Sequence, residues 1–213
     1  MSDDVDVVEA LRAAISRGDY APRQRLVESD LCEQYGASRF IVRMALQTLA
    51  AQGIVEMQRN RGARIRQVSI EEAIEIAEAR RALESLIAGR AAERATKDDA
   101  TELRGLIEQM KVASGSGELI AYSDLNAVLH KLVRRIAQHH TAAQVIEILG
   151  GQMVRHQFQL ALVPGRIAVS LGQHERIAEA IAQRDPEAAS QAMHDHVSSV
   201  IEALRSLPAL GRA

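Results

Sequence analysis

Residues 23 to 66 read RQRLVESDLCEQYGASRFIVRMALQTLAAQGIVEMQRNRGARIR, and their order predicts a specific local structure. The pattern predicts a short helix over residues 28 to 35, a tight turn at Gly36 and Ala37, and a second helix that runs to about Gln52. Ser38 stands where the second helix begins, and serine is a favoured N-cap residue. Two helices joined by so short a turn are typical of a helix-turn-helix.

The second of these helices is predicted to have one apolar and one polar face. Apolar residues at helical spacing form the predicted buried face: Val42, Ala45, Leu46 and Leu49. The opposite face then carries the residues that are free to contact a partner: Arg39, Phe40, Arg43, Met44 and Gln47. Two arginines one turn apart near a helix N-terminus suit the DNA major groove, where a guanidinium can bond O6 and N7 of guanine.

A β-hairpin is predicted to follow this helix. Residues 54 to 58 and 63 to 67 have strand character, and the basic tip Arg59-Asn60-Arg61-Gly62 lies between them. An arginine cluster alone is usually only a solvated surface. Here the cap, the turn glycine, the arginine pair and the hairpin follow one another in one segment, so we predict a DNA-binding winged helix-turn-helix.

This segment resembles the GntR family of bacterial transcription regulators, in the FadR-like branch that carries an all-helical FCD effector domain of six helices. The matching motifs are RLVESDL at 25 to 31, GASR at 36 to 39, VR-x-AL at 42 to 46, GIV at 53 to 55 and RGA at 61 to 63. The resemblance places Ser38, Arg39, Phe40 and Arg43 at the family's DNA-contact positions and Gly62 at the wing tip that enters the minor groove. The family commonly has Thr-Pro where this chain has Phe40-Ile41, and Glu in place of Met44, which predicts an unusual operator sequence.

The composition is that of a two-part helical protein. The chain has 213 residues, of which 47% are hydrophobic and 2% aromatic, so the core must consist mainly of aliphatic side chains. Its net charge is only −2, but residues 10 to 68 contain ten arginines and five acidic residues. Residues 69 to 213 contain 16 basic and 19 acidic residues. The positive field therefore lies on the predicted DNA-binding part.

Helical periodicity continues from residue 69 to the C-terminus. Turn signals separate six predicted helices, at about residues 70 to 95, 98 to 113, 118 to 138, 141 to 162, 167 to 184 and 186 to 206. The fold class is therefore mainly α, with a winged helix-turn-helix over 1 to 68 and an antiparallel helical bundle over 69 to 213. The second part is expected to bind an effector and to form the homodimer. The chain has no long apolar run and a single cysteine, Cys32, so we expect a cytoplasmic protein without a disulfide.

Histidines are the informative residues of the predicted bundle. Asn126 and His130 are one turn apart on one helix, His174 lies on another helix, and His196 lies on the last. Imidazoles from facing helices suit zinc, nickel or another first-row ion, but spacing alone leaves core or surface histidines as an alternative. His194 is two residues from His196 and is expected to point away from it.

The resemblance favours a metal site at these residues over the alternative, a metal-free pocket that uses the imidazoles directly. In FCD domains an Asp followed four residues later by a His, a His that begins HxxI, and a His near the end of the last helix bind a metal. The matching positions are Asn126, His130, His174 in HERI and His196 in AMHDHV. Asn126 departs from the pattern, which has Asp at this position. Its amide oxygen is neutral and is a weaker donor to a metal than a carboxylate oxygen. The resemblance also implies that Arg80 and Arg155 reach the effector cavity, where they are able to clamp a carboxylate, unless they lie on solvated helix faces.

The sequence therefore predicts a transcription regulator that is not an enzyme. On family grounds, repression relieved by the ligand is favoured over activation. We expect a homodimer that binds a pseudo-palindromic double-stranded DNA operator and a small carboxylate effector at a divalent metal, zinc or nickel above others. An effector-independent architectural DNA-binding protein is one alternative. A metal-dependent hydrolase is another, but spacing identifies no acidic general base for it.

Overall fold

The computed structural model describes residues 6 to 59 and 62 to 207, without the side chains of residues 16, 154, 155, 157 and 158. Its contacts divide the chain into two compact units. The first comprises Met1–Ser69 and Ile148–Arg155, and the second comprises Ile70–Glu147 and His156–Ala213. The segment Ile148–Arg155, which belongs to a long helix, is grouped with the first unit, a feature that the sequence pattern did not indicate.

The first unit is a winged helix-turn-helix. Its elements in chain order are α1 (Val7–Arg17), β1 (Arg25–Leu26), α2 (Glu28–Tyr35), α3 (Arg39–Ala51), β2 (Val55–Gln58) and β3 (Gly62–Ile65). The strands form an antiparallel sheet in the order β1-β3-β2. The prediction of α2, α3 and the β2-β3 hairpin is confirmed, whereas α1 and β1 were not predicted.

Local hydrogen bonds explain where these helices begin and end. The Asp6 carboxylate accepts from the backbone N–H of Val8 and Glu9 and so caps α1, and Gly18 ends that helix in a left-handed conformation. Gly36 has a φ of 62° and ends α2 in the same way. A residue with a side chain would be strained there, so this glycine fixes the turn between α2 and α3.

The core of the first unit is small and aliphatic. The predicted apolar face of α3 is buried, and it packs with apolar residues of the other elements: Val7, Leu11, Leu26, Leu31, Val42, Ala45, Leu46, Leu49, Ile54, Val55, Ala63 and Ile65. Full burial of a leucine or isoleucine contributes about 1.5–3 kcal/mol to folding. Because α3 supplies four of these residues, its outer face is held in a fixed orientation.

The second unit is an all-helical bundle. Within the described residues its helices are α4 (Ile70–Arg94), α5 (Lys97–Gly115), α6 (Leu119–Ala137), α7 (His140–Ala161), α8 (Arg166–Ala182) and α9 (Pro186–Arg205). Each begins and ends within about two residues of the prediction. Helix α4 packs most extensively against α9 and also against α6, and α5 packs against α8 and α6. Three of these helices, α6, α8 and α9, carry the predicted metal ligands.

Small residues allow α4 and α9 to pack closely. Ala88, Ala91 and Ala92 on α4 are fully buried. A Cβ atom placed on Gly89 would lie 3.2 Å from the carbonyl oxygen of Pro186, the first residue of α9, so the backbones approach closely at this point. In the described part of the chain, no helix combines the length and apolar character needed to cross a lipid bilayer.

Candidate functional site

The outer face of α3 is exposed, as its sequence pattern predicted. The exposed residues are Arg39, Phe40, Arg43, Met44 and Gln47. Phe40 exposes 75% of its surface, an unusual state for an aromatic residue. A face of this kind offers guanidinium and amide donors beside apolar groups, which are the groups that read base edges and thymine methyls in the major groove.

Ser38 caps α3. Its hydroxyl oxygen accepts a hydrogen bond from the backbone N–H of Ile41 at 3.3 Å, which satisfies one of the donors that every helix leaves unpaired at its N-terminus. The resemblance predicted a DNA contact for Ser38. The structure gives the residue a folding role that does not require DNA.

Arg43 is held by a partner that the sequence analysis missed. Its Nε and Nη2 atoms donate to the two carboxylate oxygens of Glu28, at 3.1 and 2.8 Å, in a bidentate pair that joins α3 to α2. This hydrogen bonding lowers the pKa of Glu28. The pair fixes the orientation of the Arg43 guanidinium and leaves its Nη1 amino group for a second acceptor.

The hairpin β2-β3 forms the wing. Arg64 pairs with Glu56 directly across it. Gly62 has a φ of 80°, and a Cβ atom there would lie 2.6 Å from the carbonyl oxygen of Leu26, so only glycine lets β1 approach β3 at this position. Arg61, a predicted DNA contact, lies outside the described residues.

Three helices of the second unit bring His130, His174 and His196 together. One ligand atom from each histidine lies within 4.8 Å of those of the other two. The ring centres are separated by 4.4 Å for His174 and His196, and by 5.4 and 5.5 Å for the two pairs that include His130. His194 is exposed whereas His196 is buried, as their spacing predicted. The prediction that these three histidines converge is therefore confirmed.

Oδ1 of Asn126 and Nε2 of His174 are buried polar atoms that lack a hydrogen-bond partner among the described residues. Asn126 is one turn before His130, and so lies on the same face of α6. A buried polar atom without a partner costs about 1–3 kcal/mol, and both atoms carry a lone pair suited to a cation. The donor set of one amide oxygen and three imidazoles therefore fits a divalent transition metal.

Neighbouring side chains lie within hydrogen-bond distance of the Nδ1 atoms of His174 and His196. Nδ1 of His196 lies 3.0 Å from Oε1 of Gln173, which can only accept. Nδ1 of His174 lies 3.4 Å from the hydroxyls of Tyr122 and Ser170. Such partners orient a metal-binding imidazole and leave its Nε2 atom for the ion. Tyr122 and Gln173 lie on other helices than the histidines they approach, so spacing does not identify them, whereas Ser170 lies one turn before His174 on α8.

Burial keeps two of the imidazoles neutral. It lowers the pKa of His196 to about 3, with a further contribution from the neighbouring His130. Burial, followed by the charges of His196 and His130, likewise lowers the pKa of His174 well below its ordinary value. A neutral imidazole is the form that binds a metal, so the site needs no deprotonation at neutral pH.

A buried carboxylate lies beside the cluster. Glu84 on α4 is only 2% exposed, and its Oε1 atom accepts from Arg80. Its Oε2 atom lies 3.0 Å from Nδ1 of His130 but is not aligned with it as a hydrogen bond. Burial by itself would raise the pKa of Glu84, but the Arg80 guanidinium and the His130 imidazole outweigh it and hold the pKa well below its usual range. Glu84 was not identified from the sequence. Arg80 is half-buried beside it, and the side chain of Arg155 is outside the described residues.

A basic depression adjoins this network. Arg134 is half-buried, one turn after His130, and burial lowers its pKa while the charge of Glu84 acts in the opposite direction. It lines a surface depression of about 310 Å³ with its neighbours Lys131, Arg135, Gln138, His139, His140 and Ala143. Several of these residues are cationic or polar, although most of the exposed lining of the depression is apolar.

Family models match both units of the chain. The model of the bacterial regulatory proteins of the gntR family matches residues 4–65, and the FCD domain model matches residues 75–199. The chain belongs to the gntR family. It is a DNA-binding transcription regulator whose FCD domain binds an effector. The regulators of this family are not enzymes.

Similar proteins agree with this membership. The protein named "Probable D-xylose utilization operon transcriptional repressor" of Paenarthrobacter nicotinovorans is 30% identical over 83% of this chain and 77% of its own. The galactonate operon transcriptional repressor of Escherichia coli (strain K12) is 26% identical over 94% of this chain and 96% of its own. The structure of E. coli McbR/YncC matches 96% of this chain and 98% of its own with a TM-score of 0.83; at 23% identity, that likeness concerns the fold.

Proposed function

We propose that this regulator is a homodimeric repressor that binds a pseudo-palindromic operator and releases it when a small organic acid binds at a divalent metal in the FCD domain. Residues 1 to 68 form the DNA-binding part, and residues 69 to 213 form the part that binds the effector and the second subunit. A dimer follows from the need to read two half-sites with one recognition helix each. The observation that carries the proposal is the convergence of three histidines on one buried point.

The DNA-reading residues are Ser38, Arg39, Phe40, Arg43, Gln47, Arg61 and Gly62. Arg39 and Arg43 have the exposure and helix position needed to bond guanine. Phe40 offers no donor, so it is assigned to a thymine methyl. The residues of the wing, Arg61 and Gly62, are assigned to the minor groove and the adjacent phosphates.

The metal is assigned to Asn126, His130, His174 and His196, with zinc or nickel as the preferred ions. Imidazole nitrogen suits both metals. The unpartnered Asn126 Oδ1 and His174 Nε2 atoms support this assignment, because a ligand is needed to satisfy them. A bound ion would act as a Lewis acid that accepts one carboxylate oxygen of the effector.

An organic acid is the effector class that fits these groups best. All four assigned ligands are neutral, so a divalent ion among them keeps its positive charge and attracts an anion. Arg80, Arg134 and the predicted Arg155 add cationic groups that suit carboxylates. A relative acts on a galactonate operon, and galactonate is a sugar acid, so hydroxylated acids are the first compounds to test.

Effector binding controls operator binding only if the effector has different affinities for the DNA-bound and DNA-free forms. Repression relieved by the acid requires tighter binding of the acid to the DNA-free form. Activation requires the opposite. The measurement of operator affinity with and without acid gives this sign directly.

The DNA part of the proposal is tested by selecting bound sequences from a random DNA pool. We expect a short pseudo-palindrome, bound by a dimer in sedimentation experiments and at least roughly 10³-fold more tightly than random DNA at the same salt concentration. An effector-independent architectural protein would instead give weak sequence preference and a steep dependence of affinity on salt. That outcome would reject the repressor.

The effector part is tested by calorimetry of metal-loaded protein against galactonate, malate, citrate and lactate. We expect one or more of these acids to bind to the wild type and to lose most of its affinity in His196→Ala. Absence of heat with all four acids, in protein shown to contain metal, would reject the carboxylate class.

A further inference from the structure

The proposed metal site has no negatively charged ligand, and the buried Glu84 lies beside one of its ligands, His130. All four assigned ligands are neutral, because the resemblance expects an Asp where this chain has Asn126. We propose that Glu84 is a positioning residue that orients His130 and supplies, through it, the negative charge that Asn126 does not provide. This inference rests on the proposed metal site, and assigns to Glu84 a role that goes beyond holding α4 and α6 together.

The two oxygens of Glu84 have different neighbours. Oε1 accepts from both Nε and Nη2 of Arg80, one turn earlier on α4, at 2.7 and 2.6 Å. Oε2 faces Nδ1 of His130 on α6 at 3.0 Å. When the proton of the neutral imidazole is on Nδ1, the Nε2 lone pair is free for a metal. The 3.0 Å approach is not aligned as a hydrogen bond, so the proposed role requires the His130 ring to turn toward Oε2, where Glu84 would then select the tautomer of His130 that a metal requires.

Charge balance gives Glu84 its second role. A divalent ion surrounded by neutral ligands in a buried site is poorly compensated, because the low dielectric inside a protein leaves charges weakly screened. A carboxylate that accepts a hydrogen bond from a ligating imidazole makes that imidazole more basic and offsets part of the ionic charge. Glu84, which is paired with the Arg80 guanidinium and lies 3.0 Å from His130, is in position to do this.

The competing interpretation is a structural ion pair. Glu84 would then serve only to neutralise Arg80 in the interior, and its proximity to His130 would be incidental. The two interpretations differ in the expected effect of removing Arg80. A structural pair needs both members, whereas a carboxylate that acts on the metal is more effective when no guanidinium competes for its charge.

The test is zinc affinity of the full-length protein, measured by competition with a chromophoric chelator. Wild type is expected to bind one zinc ion per chain, and His196→Ala is expected not to; this pair of results tests the proposed metal site itself. Glu84→Gln is then expected to weaken zinc binding by roughly tenfold to a hundredfold. Arg80→Met is expected to strengthen it, because Glu84 loses its competing cation.

A double-mutant cycle tests the link to Asn126. Asn126→Asp should strengthen zinc binding, and in that background Glu84→Gln should cost less than about threefold, because the negative charge has been moved into the coordination shell. Glu84→Asp, which keeps the charge, should lose less affinity than Glu84→Gln, and it serves in place of that variant if Glu84→Gln does not fold by circular dichroism.

Two results would overturn the inference while leaving the metal site intact. One is an equal loss of zinc affinity in Glu84→Gln and Arg80→Met, which indicates a structural pair. The other is the same fold-change for Glu84→Gln with Asn126 and with Asp at that position. Absence of zinc binding in the wild type would instead reject the proposed metal site, and this inference with it.

Discussion

The outer face of α3 and the histidine cluster of the FCD domain, the two proposed functional surfaces, are built in opposite ways. On α3, one helix presents a run of exposed side chains, and Phe40 exposes 75% of its surface. In the cluster, three helices contribute one histidine each, and His174 is completely buried. Exposure suits the first surface to a large, charged polymer, whereas burial suits the second to a small ligand that it would surround.

The charged states of these two surfaces also differ because one is exposed and the other is buried. Arg43 and Glu28 form an ion pair at the surface, where such a pair adds little to stability. The imidazoles of His174 and His196 are held neutral by burial, so changes in their protonation or ligation affect the stability of the whole domain. Perturbing the cluster should therefore alter stability more than perturbing the α3 face does.

Metal removal should produce the largest effect. At a metal concentration about 1,000 times its dissociation constant, a bound ion stabilises the native state by about 4 kcal/mol. We expect chelation to lower the melting temperature of the wild type and zinc or nickel to restore it. His196→Ala should not respond to metal, whereas Arg39→Ala should respond as the wild type does. An unchanged melting temperature on chelation would contradict the metal site.

Acid should destabilise the chelated protein through the same histidines. The pKa of His196 is about 3 when folded and takes its ordinary value of 6.5 when unfolded, so the unfolded chain binds the proton first. Stability is therefore highest above pH 6.5 and falls as the pH drops, by about 2 kcal/mol for this residue at pH 5. Urea unfolding of chelated wild type and His196→Gln at pH 7 and 5 measures it. Equal pH dependence in the two proteins would contradict the buried neutral state.

Loss of Arg43 should change DNA recognition more than stability. Arg43→Ala should reduce discrimination between the selected operator and a sequence with a substituted guanine by about 1–3 kcal/mol. Arg104→Ala is a matched control, because the Arg104 side chain is equally exposed, at 58%, and also pairs with a glutamate. Mobility shifts should separate the two variants. Similar operator affinities for both would remove Arg43 from the recognition surface.

Ser38→Ala should give the smallest of these effects. Loss of the cap on α3 should destabilise the first unit by about 1 kcal/mol, whereas Ser38→Thr should retain most of the stability because a hydroxyl remains. Chemical unfolding of DNA-free protein measures this contribution without any DNA contact. If the alanine variant is as stable as the wild type, the hydrogen bond to Ile41 contributes nothing.

Local patterns in the sequence predicted the fold well. Caps, turn glycines and apolar spacing act within one or two turns, so α2, α3 and the six helices of the bundle were placed nearly correctly. Helix α1 was missed although its signals are local: Asp6 before it, Gly18 after it, and Val7 and Leu11 one turn apart. Strand β1 has two residues and pairs with β3, far along the chain, so no local pattern marks it.

The histidines were predictable because the family motif names their positions, but their surroundings were not. Glu84, Gln173 and Tyr122 contact the histidines through the packing of helices, and sequence spacing does not determine which side chains meet there. The partner of Arg43 was missed for the same reason, since Glu28 lies on the preceding helix. Chemistry that depends on contacts between elements therefore required the structure.

The most direct test of the proposed function joins the two surfaces in one experiment. Fluorescence anisotropy of the selected operator should be measured with metal-loaded wild type and with His196→Ala, while galactonate, malate, citrate and lactate are titrated. We predict that at least one acid changes the operator affinity of the wild type by roughly 5- to 150-fold and leaves that of His196→Ala unchanged. Operator affinity that is insensitive to all four acids, or equally sensitive in both proteins, would contradict control of DNA binding by an acid at the histidine cluster.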